Sequence, residues 1–151
     1  MMRTADRLWL RYYAECNLNA LKLGEPSAAE RTDGLWQHTC FEAFIGDKAY
    51  SEFNFSPSSQ WAAYDFLHYR ADMRMREMVE VPEIGCDASE AHFALETVFD
   101  IGTLKGNLAL SAVIEETDGT KSYWALAHPS GAPDFHHPTC FAATLPAPDY
   151  P

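Results

Sequence analysis

The strongest constraint on the fold is an alternation of apolar and polar residues in two neighbouring stretches of the chain. The first stretch covers 40–45 and the second covers 50–56, in which Phe53 and Phe55 share one face. A period of two is typical of a strand that buries only one of its faces. Because the Gly-Asp-Lys run at 46–48 supplies a turn between the two stretches, the pattern predicts a β-hairpin.

The turn also predicts the register of this hairpin. If Gly46 pairs with Tyr50, then Glu42 lies opposite Asn54. Phe44 then lies opposite Glu52 on the same face, whereas Phe41, Ala43 and Ile45 share the other face with Phe53 and Phe55. We predict that this other face forms the core with two residues of a later strand, and the predicted core residues are Phe41, Ile45, Phe53, Phe55, Leu110 and Ile114. The face that carries Glu42 and Asn54 is then either exposed to solvent or the polar floor of a groove.

Strand-like stretches continue through the rest of the chain, at 8–13, 61–70, 92–99, 108–116, 122–128 and 140–145. Asp118-Gly119 is typical of a type I′ hairpin turn. Residues 71–80 are good helix formers without one clean apolar stripe, and 17–23 could form a short helical turn. We therefore predict an all-β fold, an antiparallel two-sheet β-sandwich of the jelly-roll type, with residues 1–151 forming one domain.

The charge of the chain narrows the classes of partner. Asp and Glu total 22 against 11 Lys and Arg, which gives a net charge of −11. Nucleic acids and anionic lipids attract basic surfaces, so we expect neither as a partner. No apolar stretch has the length of about 20 residues that a membrane span needs, and the first residues lack the apolar region of a signal peptide. These features predict a cytoplasmic protein.

The cysteines give no sign of a metal site. Cys16, Cys40, Cys86 and Cys140 are scattered and form no C-x-x-C pair. We expect them to be reduced, and we expect no cofactor and no metal requirement for folding. Two disulfides are the alternative if the protein is exported.

Two segments carry a resemblance to a known family. The first is 35–44, with Trp36 before Glu42, and the second is 50–57, with Asn54 before a Pro-containing turn. They resemble the bacterial DOMON-like proteins, which are related to family 9 carbohydrate-binding modules. Three later segments are similar to the same group, and they are 110–116, 123–129 and 133–138. The resemblance as a whole extends over about 8–145.

The resemblance implies a β-sandwich that binds a ligand without transforming it. In the sugar-binding modules a Trp at the position of Trp36 stacks on a sugar ring, and a Glu at the position of Glu42 holds its hydroxyl groups. This chain departs from the pattern in the late loop, where 135–137, Phe-His-His, replaces a second Trp. Arg70 is the candidate for an Arg contact of the family.

We predict that one pocket on the concave face of a sheet binds a saccharide or a similar small polar ligand. Aromatic stacking and hydrogen bonds would hold such a ligand. Three prolines stiffen the loop that follows His128 and lower the entropic cost of presenting its side chains. The predicted site comprises Trp36, Glu42, Asn54, Arg70, His128, Asp134, Phe135 and His136.

Other interpretations of the same residues stay open at this point. His128, His136 and His137 could serve a metal- or haem-dependent enzyme or redox domain, although adjacent side chains on an extended segment point apart. Trp36 could simply seal the rim of the sandwich. Glu42 could belong to a structural ion pair with Arg70 or with His38. Trp61 and Trp124 are expected to pack in the core or at an edge.

Overall fold

The computed structural model describes residues 1–148 and places eleven β-strands there. They are β1 Met2–Arg3, β2 Arg7–Glu15, β3 Cys40–Gly46, β4 Tyr50–Phe55, β5 Trp61–Phe66, β6 Arg74–Met75, β7 Glu83–Ser89, β8 His92–Asp100, β9 Asn107–Glu115, β10 Lys121–Ala125 and β11 Ala143–Thr144. Three short 3-10 turns cover Leu18–Ala20, Leu35–Gln37 and Pro138–Cys140. No helix in this part of the chain is long and apolar enough to cross a membrane.

The strands form two antiparallel sheets that pack face to face, which confirms the predicted sandwich. The smaller sheet has the order β1-β2-β8-β7. The larger sheet has seven strands in the order β10-β9-β3-β4-β5-β6, and β11 pairs with β9 beside this path. The hairpin β3–β4 therefore lies in the middle of the larger sheet.

The register of the central hairpin is the predicted one. Gly46 pairs with Tyr50, and Glu42 pairs with Asn54. Gly46 has a φ of +139°, and a Cβ atom at this position would lie 2.4 Å from the carbonyl oxygen of Ala49. Only glycine fits such a turn without displacing the backbone, so this residue helps to set which side chains face the core.

The main core lies between the two sheets. Phe53 and Phe55 contact Phe99 of the smaller sheet, with ring centroids 4.7 and 4.8 Å apart. Among the six predicted core residues, four are buried and the two on β9, Leu110 and Ile114, are half-buried against the same cluster. The indole of Trp61 is buried in this core as well.

A second apolar layer covers the outer face of the larger sheet. Every residue of β3 and β4 is buried, so both faces of the central hairpin are covered. This layer contains Phe44, Tyr50 and Phe66 of the sheet. Residues 126–142, called the late segment below, add side chains to it, among them Phe135 and Phe141. The outer face is therefore not the solvated surface that alternation alone would allow.

Several predicted elements differ from the structure at their ends. The stretch 61–70 stops being a strand at Phe66, and 140–145 contains only the two-residue strand β11. β7 is a strand that the predicted set lacks. Its residues are mostly exposed, because it pairs only with β8 at the edge of the smaller sheet, and its alternation has only one large apolar side chain, Ile84, beside Cys86 and Ala88.

The predicted type I′ turn is wrong. The N–H of Gly119 donates to the carbonyl of Glu116 at 2.9 Å. Gly119 is the only residue of this turn with a positive φ, at +88°. A type I′ turn needs positive φ at both central positions, whereas this arrangement is a type I turn followed by a left-handed glycine. The loop carries one more residue than a two-residue hairpin.

Candidate functional site

A cavity of about 470 Å³ lies on the outer face of the larger sheet, beneath the segment 126–142, and is called the outer-face pocket below. Strands β3, β4 and β5 form its floor, and loops before β3 and after β5 form its sides. It is lined by Trp36, Glu42, Phe44, Glu52, Tyr64, Phe66, Arg70, Met73, Val113, Tyr123, Pro133, Phe135 and His136.

Trp36 forms one wall of the outer-face pocket. Gly34 adopts a left-handed conformation with a φ of +78°, and the 3-10 turn Leu35–Gln37 follows it directly. The indole stays 43% exposed, and its edge meets the ring of Tyr64 at a centroid distance of 6.4 Å. Trp36 also borders a larger cavity of about 1070 Å³, on the side of Lys22, His38 and Gln60. A large exposed aromatic face beside a cavity is available for stacking.

Glu42 lies on the floor of the pocket and is only 2% exposed. In residues 1–148 the only hydrogen bond to its carboxylate comes from the Ser111 hydroxyl, at 3.0 Å. Burial, and next the nearby carboxylate of Glu52, raise the pKa of Glu42 to about 8. Neither predicted ion-pair partner bonds to it, because His38 contacts Glu115 at 2.7 Å and Arg70 contacts Asp134. At neutral pH the floor thus carries a carboxyl group that can both donate and accept.

Glu52 is a second buried carboxyl group of the floor, and the predicted site lacks it. It is 5% exposed, and burial raises its pKa to about 7. The Asn54 side-chain amide donates to it at 2.9 Å. Asn54 itself is fully buried and does not line the pocket, so its role is to hold Glu52 rather than to contact a ligand. The register that pairs Phe44 with Glu52 is the sequence signal that could have identified this residue.

His136 closes the pocket from the late segment. Its Nε2 atom lies 3.5 Å from Glu52 Oε2, and its Nδ1 atom lies 2.7 Å from the Tyr50 hydroxyl. Burial, and next the positive charge of Arg70, lower the pKa of His136 to about 4. The ring is therefore neutral at neutral pH. The Tyr50 hydroxyl also accepts from the backbone N–H of Arg70 at 3.1 Å, which links His136 to the loop after β5.

Arg70 and Asp134 form a pair at the mouth of the pocket. Both Nε and Nη2 of Arg70 donate to Asp134 Oδ1, at 3.1 and 2.7 Å, and the Tyr69 hydroxyl donates to the other carboxylate oxygen. The backbone of Arg70 is left-handed, with a φ of +51°. Asp134 also accepts from the His136 N–H at 3.2 Å. Asp134 thus anchors the late segment to Arg70 but does not line the pocket.

The structure brings five of the eight predicted site residues to the pocket: Trp36, Glu42, Arg70, Phe135 and His136. Asp134 accepts hydrogen bonds from Arg70, and Asn54 donates one to Glu52. His128 lies outside the pocket, with its ring 6.2 Å from that of Phe135. Tyr64 and Tyr123 also line the pocket, but neither belongs to the predicted site. No local sequence pattern distinguishes them from other aromatic residues of a strand.

The late histidines do not converge. His136 faces the pocket, whereas the His137 side chain accepts from the Thr139 N–H at 3.2 Å and caps a 3-10 turn. Over residues 1–148 there is no group of three His, Cys, Asp or Glu side chains that could hold a metal ion. All four cysteines are free. The alternative of a His-based metal centre therefore gains no support from this geometry.

Comparisons of the chain with protein-family models, with curated proteins and with solved structures gave no match. The resemblance to DOMON-like proteins accordingly stays a prediction from the sequence.

Proposed function

We propose that the protein is a non-catalytic ligand-binding domain that takes a saccharide or a similar small polar ligand in the outer-face pocket. One observation carries this proposal: the half-exposed indole of Trp36 and the buried carboxyl group of Glu42 line the same cavity. A sugar ring has an apolar C–H face and an edge of hydroxyl groups, so it needs both kinds of surface.

The other walls support the same ligand chemistry. Tyr64 and Phe135 add aromatic surface beside Trp36. Glu42, Glu52 and the neutral His136 offer hydrogen-bond donors and acceptors on the floor. The volume of about 470 Å³ falls within the range of about 300–1,000 Å³ that is typical of small-molecule sites.

The proposal agrees with the sequence resemblance to bacterial DOMON-like proteins and, through them, to carbohydrate-binding modules. A cytoplasmic location and the lack of nucleic-acid and membrane partners belong to the same proposal. The net charge of −11 disfavours nucleic acids and anionic lipid surfaces as partners.

A thermal-shift screen with monosaccharides, oligosaccharides and polyols tests the function first, because a ligand that binds only the folded state raises the melting temperature. Calorimetry then compares the wild type with Trp36→Ala. We expect the variant to lose at least about tenfold in affinity, since one stacked aromatic contributes about 1–1.5 kcal/mol or more. Its free energy of unfolding should fall by less than about 1.5 kcal/mol, because the side chain is half-exposed.

Trp124→Ala is the matched control. Trp124 is 62% exposed on the edge strand β10 and lies beside a different, apolar cavity. The control should bind like the wild type. The proposal is contradicted if no saccharide or polyol binds, or if Trp124→Ala weakens binding while Trp36→Ala does not.

A further inference from the structure

The two carboxyl groups of the outer-face pocket lack a cationic partner. Within the described residues, no Lys or Arg side chain lies within salt-bridge distance of Glu42 or Glu52, and His136 approaches Glu52 only at 3.5 Å. Buried carboxylates in proteins are almost always paired. The two here, both at least 95% buried, hold their protons near neutral pH for lack of such a partner and would ionise beside a cation.

A third buried carboxylate of the same chain shows the usual arrangement. Glu115 is as buried as Glu52, and it contacts Lys22 Nζ at 3.2 Å and His38 Nδ1 at 2.7 Å. Its pKa is lowered, first by the hydrogen bond to His38, whereas burial raises the pKa of Glu42 and of Glu52. Among the three buried carboxyl groups of residues 1–148, the two in the outer-face pocket therefore lack the cationic partners that Glu115 has beside the larger cavity.

Among the described residues that line the pocket, Arg70 is the one Lys or Arg side chain, and it is already paired with Asp134. Its guanidinium donates twice to Asp134 at the mouth of the pocket. Glu42 keeps one carboxylate oxygen without a hydrogen bond from the described chain, since Ser111 contacts only Oε2. This oxygen belongs to a pocket-lining side chain that is 98% buried, so a ligand donor is the partner available to it.

The walls around this oxygen also suit a positive charge. Aromatic rings carry negative charge on their faces and attract an ammonium group placed over them. Trp36, Tyr64, Phe66 and Phe135 surround the two carboxyl groups. A metal ion fits less well, because it requires more ligating side chains than the pocket has.

We propose that the pocket recognises a cationic group of its ligand, a protonated amine or quaternary ammonium held between Glu42 and Glu52 beneath the aromatic walls. Within the proposed function, which this inference deepens, the ligand class is an amine-bearing saccharide rather than a neutral one. The amine donates to the free oxygen of Glu42 and to Glu52, and the rest of the ring stacks on Trp36.

Cation binding in this pocket is coupled to proton release. Glu42 and Glu52 hold protons near neutral pH, and an ammonium group favours their ionised forms. The groups that face them from the packed elements are Ser111 on β9, Tyr64 on β5, Asn54 on β4, Arg70 after β5 and His136 in the late segment. His136 is already neutral above about pH 4, so it does not supply these protons.

Two matched pairs of probes test the inference by calorimetry. Choline and its uncharged carbon analogue 3,3-dimethyl-1-butanol differ in charge alone, and glucosamine and glucose differ by one amine. We expect the cationic member of each pair to bind at least about tenfold more tightly. Choline keeps its charge at every pH, so its affinity should rise about tenfold between about pH 6 and about pH 9, with release of protons to the buffer.

Variants assign the effect to the two carboxyl groups. Glu42→Gln and Glu52→Gln preserve shape and should each reduce the preference for choline over its analogue to within about threefold. Glu96→Gln, a control on the opposite sheet whose carboxylate pairs with Arg11, should leave the preference unchanged. If a glutamine variant does not fold, the pH dependence of choline binding to the wild type decides the question.

Three outcomes are distinguishable. If the uncharged probes bind as tightly as the cationic ones, or if the preference survives in both glutamine variants, the inference is overturned. If glucose binds through Trp36 without any preference for glucosamine, the proposed function stands and only the inference fails. If none of the four probes and no saccharide binds, both fail.

Discussion

Glu42 makes the stability of the folded protein depend on pH. Its pKa is about 8 in the folded chain against an ordinary 4.5. The folded state therefore binds more protons than the unfolded state between these values, and stability falls as the pH rises through this range. The glutamine of Glu42→Gln cannot ionise, so we expect this variant to lose less stability than the wild type between about pH 4.5 and about pH 8. Above about pH 8 the variant should be the more stable of the two. Urea denaturation at several pH values measures both effects.

His136 acts with the opposite sign. Its pKa is about 4 when folded against an ordinary 6.5, so the unfolded state binds more protons within this range. The contribution of His136 to stability therefore rises as the pH increases from about 4 to 6.5 and offsets part of the fall that Glu42 causes there, so His136→Gln should make that fall steeper. A stability profile of the wild type that increases steadily from pH 6.5 to pH 9 would contradict the protonation states assigned to this pocket.

At the scale of the element, the turn between β3 and β4 fixes which residues face the pocket. Gly46→Ala places a methyl group 2.4 Å from the carbonyl oxygen of Ala49, at a φ that side chains disfavour. We expect a loss of about 1–3 kcal/mol in the free energy of unfolding. Gly85→Ala on β7 is the control, because nothing lies within 4 Å of its added methyl group. Equal stability of the two variants would show that the turn does not depend on glycine.

The same hairpin shows what the sequence can predict and what it cannot. Alternation and one glycine turn are local signals, and they were sufficient to pair Glu42 with Asn54 correctly. The apolar layer over the outer face depends on Phe135 and Phe141, which lie far away in the chain, so no local pattern indicates it. The local pattern therefore cannot show that Asn54 is covered, whereas the register alone already places Glu52 on the same face as Glu42.

At the scale of the whole molecule, stability and ligand binding depend on opposite faces of the larger sheet. Phe53 is fully buried between the sheets against Phe99, and Phe53→Ala should cost about 3–5 kcal/mol of unfolding free energy. Trp36→Ala on the outer face should cost much less and affect binding instead. Chemical denaturation compares the two variants. If Trp36→Ala lowers the free energy of unfolding as much as Phe53→Ala does, then Trp36 is a structural residue.

The central claim is that a ligand stacks on Trp36 in the outer-face pocket. The most direct test is a proton–nitrogen correlation spectrum of the indole N–H groups of the four tryptophans, recorded with the saccharide that raises the melting temperature most. Trp61 is buried in the main core and Trp124 lies beside a different cavity. We predict that the Trp36 resonance, identified by its loss in Trp36→Phe, shifts most during the titration. A titration that moves Trp124 and leaves Trp36 in place would contradict the account.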